Sequence, residues 1–213
     1  MCITFGDIQK KNYRHAIRFA IEGMQFNRYL ENKLLLHLYG RYVWYLELNR
    51  ATQVIAAYHD DKLVGIILAE IYGEARKQVS GLQSLYIRFF DFMQNLLYKA
   101  GVEPYDEANK EMAAQFEEHS KPEGEIIFLA ADPNATLKGI GTALLNELES
   151  RIKGKTIYLY TDDACSYQFY EKRGFERSCE KDVMLTLGKK KVPIKCFLYS
   201  KKVNAESKCK KEF

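Results

Sequence analysis

Two short stretches carry residue types and spacings that can do chemistry. The first runs Leu129-Ala130-Ala131-Asp132-Pro133, through Asn134-Ala135-Thr136-Leu137-Lys138, into Gly139-Ile140-Gly141-Thr142-Ala143-Leu144-Leu145. It reads as a strand entering a tight turn that opens a helix. Two glycines let the backbone pass close to a ligand, and the first amides of a helix have no partner inside it. With the positive end of the helix dipole, such amides bind a pyrophosphate without a dedicated cation, and Lys138 is placed to assist. Other phosphate loops fit less well. A dinucleotide fingerprint needs a third glycine where Leu144 stands, and a nucleotide P-loop needs Gly-Lys-Ser/Thr where the order here is Lys138-Gly139. A plain strand-to-helix turn with packing glycines stays open for this segment taken alone.

The second stretch is Asp162-Asp163-Ala164-Cys165-Ser166-Tyr167-Gln168-Phe169-Tyr170-Glu171-Lys172-Arg173-Gly174-Phe175-Glu176. Together the two segments resemble motifs A and B of the GNAT superfamily of N-acetyltransferases. That family carries a Gln/Arg-x-x-Gly-x-Gly/Ala loop and a Phe-Tyr-Glu-Lys-x-Gly-Phe-like run. The resemblance is strong over residues 124–178, moderate for the flanking strands, and weak over the first helices and the stretch between residues 72 and 122.

It implies an α/β (α+β) GNAT fold: a mixed central sheet of six to seven strands, splayed after the fourth and flanked by helices. It further implies acetyl-CoA as co-substrate, with its pantetheine arm along Leu129, Ala130 and Ala131 and its pyrophosphate on Thr136, Leu137, Lys138, Gly139, Ile140, Gly141 and Thr142. Asp163, Ser166, Phe169 and Tyr170 would contact it from the second segment. Transfer in such a family is direct, to a free amine, so no cysteine nucleophile is needed. Tyr170 matches the family's usual acid, whose phenol donates to the leaving sulfur. Glu125 matches, by its spacing before Gly139, the catalytic glutamate of the histone-acetyltransferase branch and is the expected base, with Glu70 next in line. His15, His37, His59 and His119 show no distinguishing spacing. Two departures stand out. Thr136 replaces the usual Gln or Arg, and Asp163 replaces an Asn whose amide would donate to the pantetheine.

Elements must position these residues. A short strand is expected at Cys2–Phe5, then a helix from Asp7, which could cap it, with Ile17, Ala20, Ile21 and Met24 on one face. A second helix begins near Asn32 and carries the stripe Leu34, Leu35, Leu38, Tyr42, Tyr45, Leu46 and Asn49. Val54–Tyr58 and Lys62–Ile71 read as strands joined at His59-Asp60-Asp61. Between residues 72 and 122 the pattern is helical, with a stop at Gly101–Pro104 and a further helix from Tyr105 to about Glu118. About 50 residues without strand character are too many for a loop, so this reads as a helical insertion between strands 3 and 4. Glu125–Ala131, a helix over Lys138–Lys153 and Thr156–Thr161 form a βαβ unit with parallel pairing. Tyr167–Arg173 is a short helix closed by Gly174. Val183–Leu187 and Ile194–Ser200 form a terminal hairpin. The reading is one domain over residues 1–203, with residues 72–122 inserted and 204–213 a frayed tail.

At 213 residues, 47% hydrophobic and 28% charged, the chain has the composition of an ordinary globular protein. A net charge of +4 suits a polyanionic ligand but not nucleic acid or an anionic membrane, which demand a concentrated basic face. The basic residues Lys201, Lys202, Lys208, Lys210 and Lys211 read as a solvated end. Five cysteines without a CxxC pair argue against a disulfide framework and for a reducing cytoplasm. Cys165 and Cys179 read as buried and inert, and no metal site is expected. No stretch approaches the ~20 apolar residues of a membrane span.

The expected function is therefore acetyl transfer to a primary amine of a small molecule. Transfer to a peptide or protein amine and a non-catalytic acyl-CoA-binding module are the alternatives. The aromatic residues Tyr39, Tyr42, Trp44 and Tyr45, with Phe89, Phe90 and Phe92, could wall the acceptor pocket or simply pack. Pairing of exposed sheet edges into a homodimer stays open.

Overall fold

The computed structural model describes residues 3–24, 32–76, 80–97, 99–187 and 190–205. The β-branched runs form a hairpin, β2 (Gln53–His59) and β3 (Lys62–Ile71), turned by Asp60 and Asp61, both at positive φ. Their side chains alternate between two cores. Val54, Ala56, Ile66 and Leu68 face one side of the sheet, and Ile55, Ala57, Ile67 and Ala69 the other. β1 (Thr4–Gly6) pairs with β2, and β4 (Gly124–Ala131) runs antiparallel to β3. The pairing of β3 with β4 skips Ile127, a bulge that turns Ile127 and Phe128 into the same core. β5 (Thr156–Asp162) is parallel to β4, and β6 (Glu176–Leu187) with β7 (Lys190–Lys202) closes the order β1-β2-β3-β4-β5-β7-β6.

Helices cover both faces. α5 (Ile140–Arg151) buries Ile140, Leu144, Leu145 and Leu148 against the inner strands, each leucine worth about 2 kcal/mol of apolar burial. Gly65 of β3 permits that approach, since a Cβ there would stand 2.7 Å from Ile140 Cγ2 and 3.1 Å from the Ala130 carbonyl. On the opposite face α1 (Tyr13–Gly23) and α2 (Lys33–Arg50) cover one half and α4 (Lys99–Glu117) the other, over β6 and β7. α3 (Gly81–Leu97) docks on α2 through Tyr42, Ile87 and Phe90. α6 (Gln168–Glu171) is a single turn.

Several expectations change in detail. The first helix begins with a 3-10 turn at Lys10–Asn12, three residues past Asp7, with no side-chain cap. Asn32 does cap α2, accepting from the Leu34 and Leu35 amides at 2.9 and 3.1 Å. Gly101–Pro104 does not stop a helix. α4 already starts at Lys99 and continues through Pro104, which lies inside it at the cost of one i→i−4 hydrogen bond. The α5 helix opens at Ile140, two residues later than the periodicity suggested, because Gly139 takes the left-handed conformation at φ 82°. The hairpin strands β6 and β7 are longer than their apolar runs, since cross-strand pairing carries charged residues such as Lys181 and Lys195 into the ladder. Lys201 and Lys202 belong to β7, while Lys208, Lys210 and Lys211 lie outside the described residues, as do Cys2 and Cys209. None of the described helices is long and apolar enough to cross a membrane.

Candidate active site

β4 and β5 pair only at Gly124↔Ile157 and Glu125↔Tyr158, although each strand continues for several residues beyond. The sheet therefore parts after Glu125. Leu129, Ala130 and Ala131 pair with Ile67, Ile66 and Gly65 of β3, so their other edge faces the side from which β5 has departed. At the end of this parted strand an Asx turn forms, in which Asp132 accepts from the Asn134 amide at 3.0 Å. Arg18 of α1 reaches the same carboxylate at 3.1 Å.

The two loop glycines have different physical jobs. Gly139 has positive φ and nothing within 4 Å of a would-be Cβ, so it makes the turn and leaves open space over the first amides of α5. Gly141 instead faces the Phe169 ring, where a Cβ would stand at 3.2 Å. Phe169 thus joins α6 to the tip of α5. Arg173 completes this junction: its guanidinium lies 3.7 Å from the Phe169 centroid, donates to the Phe169 carbonyl at 2.9 Å and donates twice to Thr142 Oγ1. The tip of α5 accordingly carries a fixed cation in place of the side chain that Thr136 lacks. Thr136 and Lys138 are exposed beside it. Ser166 is exposed on the turn before α6, its carbonyl accepting from the Phe169 amide at 3.0 Å. The Asp163 carboxylate accepts from the Lys195 amide at 3.2 Å, which ties it to β7. An open cavity of about 470 Å³ beside it includes Asp163, Asp182 and Lys195 in its walls, but neither Tyr170 nor Glu125.

Tyr170 packs edge-on to Phe169 and Phe175, with centroids at 5.1 and 5.7 Å, and Gly174 at φ 77° turns the chain back beneath it. Among the described residues no protein group is hydrogen-bonded to its hydroxyl. Burial, with the Cys165 thiol nearby, pushes its phenol pKa up and keeps the proton in place. The Cys165 thiol is itself pushed up to about 12, mainly by burial, which makes it a poor nucleophile. Cys165, Cys179 and Cys196 are all free.

Glu125 lies at the base of the parting, on the face covered by α2 and α4, and is 8% exposed. Arg50 of α2 reaches it at 2.6 Å across 75 residues of sequence and also contacts Glu70 at 3.2 Å and Glu47 at 3.5 Å. Arg76 holds the other oxygen of Glu70 at 2.6 Å. Burial raises the Glu125 pKa and Arg50 opposes that rise. Glu47, with its weaker contact, is pushed up to about 7, chiefly by burial. Stability should respond to this. A carboxyl whose folded pKa exceeds its unfolded value of about 4.5 stabilises the fold below that value, and this contribution is lost as pH rises through 7. Replacing Glu47 by Gln is expected to raise the melting temperature at pH 8 and change it little at pH 5, as thermal denaturation at the two values will read.

The aromatic residues of α2 are mostly structural. Trp44 is 1% exposed in the core, and Tyr42 stacks on Phe90 at 4.7 Å while donating to Asp91 at 2.6 Å. Phe89 and Phe92 face outward. Arg50, Glu47 and Arg173 escaped the sequence reading. Glu47 and Arg50 are visible as an i, i+3 pair, but nothing local points to Glu125 as their partner, and Arg173 hides inside the Glu-Lys-x-Gly run.

β4 parts from its neighbour, the helix start at its end has no side-chain cap, and Tyr170 and Glu125 lie toward its two faces. A model of the "Acetyltransferase (GNAT) family" matches residues 100–175, which span α4, β4, α5, β5 and α6. Similar solved structures include the PaiA N-acetyltransferase from Thermoplasma acidophilum in complex with coenzyme A, 19% identical, TM-score 0.53, covering 95% of this chain and 99% of that one. A histone acetyltransferase HPA2-related protein from Corynebacterium glutamicum is 14% identical, TM-score 0.53, covering 98% and 99%. Ard1 from Thermoplasma volcanium is 15% identical, TM-score 0.51, covering 95% and 99%. At such identities the likeness is one of fold. No curated protein matches. Residues 100–175 thus match the GNAT acetyltransferase family, and the fold of the chain is that of the GNAT acetyltransferases.

Proposed function

We propose that this protein transfers an acetyl group from acetyl-CoA directly to a primary amine of a small molecule. The observation that carries the reading is the two-pair ladder between β4 and β5, which leaves the edge of Leu129, Ala130 and Ala131 free to pair with an amide-bearing arm. The pyrophosphate at its end would rest on the first amides of α5 beyond Gly139, with Thr142 and Arg173 beside it. Thr136, Leu137, Lys138, Ile140 and Gly141 belong to the same rim, and Ser166, Phe169 and Tyr170 to its opposite side. Asp163 is the weakest member of this set, since Lys195 already engages its carboxylate.

In the reaction the acceptor ammonium loses one proton to Glu125, and the amine nitrogen bonds to the thioester carbonyl carbon. The C–S bond then breaks and sulfur takes a proton from Tyr170. The second proton leaving nitrogen restores Tyr170, so each turnover releases one net proton. A small acceptor is favoured because the Glu125 side chain is only 11% exposed, enclosed beneath α2 and α4. The free thiols of Cys165, Cys179 and Cys196 suit a reducing cytoplasm.

Thermal denaturation with rising acetyl-CoA tests the binding half. At 100 times the dissociation constant about 2.7 kcal/mol of stabilisation is expected. A thiol-release screen over small amines and peptides tests the chemistry. A flat titration defeats the proposal, binding without thiol release turns it into a regulatory acyl-CoA module, and release with peptides alone moves the acceptor to a polypeptide amine.

A further inference from the structure

We infer that Tyr158 and Tyr72 relay the proton taken up by Glu125 to solvent, a role that rests on the proposed acetyl transfer. A base buried this deeply must unload one proton per turnover, and most of its neighbours cannot accept one. Arg50 has donors only. Glu70 is held by both Arg50 and Arg76. The Tyr158 hydroxyl, in contrast, is both donor and acceptor. It lies 3.4 Å from Glu125 Oε2 and 2.9 Å from the Tyr72 hydroxyl. Tyr72 is 44% exposed, so the chain of three groups runs from buried carboxylate to water.

The path is placed by the fold. Tyr158 stands opposite Glu125 in the last pair of the β4–β5 ladder, and Tyr72 follows directly on β3, its amide bonded to the Glu123 carbonyl at 2.9 Å. The charged and titratable groups around the path are Arg50 and Glu47 from α2, Glu70 and Arg76 from the β3 end, Glu117 from α4 and Tyr160 from β5. Burial and the nearby carboxylates push both phenols upward, so neither is lost as an anion at working pH. The transfer balances without a charged tyrosine. Protonated Glu125 passes its proton to the Tyr158 oxygen as the Tyr158 proton moves to Tyr72 and the Tyr72 proton moves to water. Glu125 is left as the carboxylate, and the two hydroxyls rotate back.

Tyr158→Phe and Tyr72→Phe keep both rings and their packing. Each is expected to lower kcat about tenfold, well below the full worth of a general base, with KM for acetyl-CoA unchanged. Imidazole in the buffer should restore much of the rate in Tyr72→Phe, and the curved proton inventory of the wild type should become linear. A structural role would give none of these. Infrared titration supplies a readout free of turnover: the Glu125 carboxyl band, assigned by its loss in Glu125→Gln, should protonate at higher pH in Tyr158→Phe, because a donor to the anion has gone. Variants with wild-type rate and inventory, or with losses that imidazole does not touch, overturn the relay alone. A wild-type protein that releases no thiol with any amine overturns the acetyl-transfer reading beneath it.

Discussion

Tyr170→Phe is expected to lower kcat about a hundredfold, the lower end of what a positioned acid contributes, while acetyl-CoA affinity and melting temperature stay close to wild type. Ring and hydroxyl have separate roles. The ring packs on Phe169 and Phe175 and belongs to the α5-side core, and phenylalanine keeps those contacts. The hydroxyl has no protein partner among the described residues, so its loss leaves no buried group unpaired. On the proposed mechanism, what disappears is the donor for the departing sulfur, whose charge would then develop without a nearby proton. Stopped-flow detection of released thiol, with the melting curve recorded alongside, measures both halves. An unchanged kcat in the folded variant would remove Tyr170 from the chemistry.

Arg50→Met should have the larger effect on the fold. Arg50 links Glu47, Glu70 and Glu125 at 3.5, 3.2 and 2.6 Å, and methionine keeps the apolar stem but strands the carboxylates. Removing one partner of a buried pair costs roughly 3–5 kcal/mol. Because the Arg50 side chain is itself 36% exposed, water compensates in part and about 3 kcal/mol is the expected loss. For a chain of this size that is a fall of about 6–12 °C in melting temperature at neutral pH. The direction with pH is fixed by the shifts. Glu125 and Glu47 both have raised folded values, so protonation relieves the stranded charges, and the deficit should shrink as pH falls toward 5. A deficit that is equal at pH 5 and pH 8 would show that Arg50 acts through packing alone. Glu125 in the variant also loses the cation that holds its carboxylate in place, so kcat should fall together with stability.

These two residues differ in how they could be found. Tyr170 stands in a run whose order, Phe-Tyr-Glu-Lys-Arg-Gly-Phe, reports its own local structure, a helical turn closed by a left-handed glycine. Gly139 and Gly141 were visible for the same reason, because short-range backbone geometry restricts residue type. Even so, the sequence could not say that Gly141 makes room for Phe169 while Gly139 makes the turn, since that depends on a contact with another helix. The βαβ unit, the β2–β3 hairpin and the helical stretch between strands 3 and 4 were legible from periods of two and of about 3.6 residues. Strand ends were not, because pairing with a neighbour extends β6 and β7 through charged residues that no local rule favours.

By itself the amino-acid order determined what each segment prefers and where the glycine turn that opens α5 falls, because those preferences arise between residues a few positions apart. Tertiary structure alone decided that β4 and β5 part after two pairs, that Arg50 crosses 75 residues to reach Glu125, and that Tyr72 meets Tyr158 from 86 residues away. Such contacts depend on where whole elements come to rest. Burial then sets their strength, and burial is a property of the assembled core.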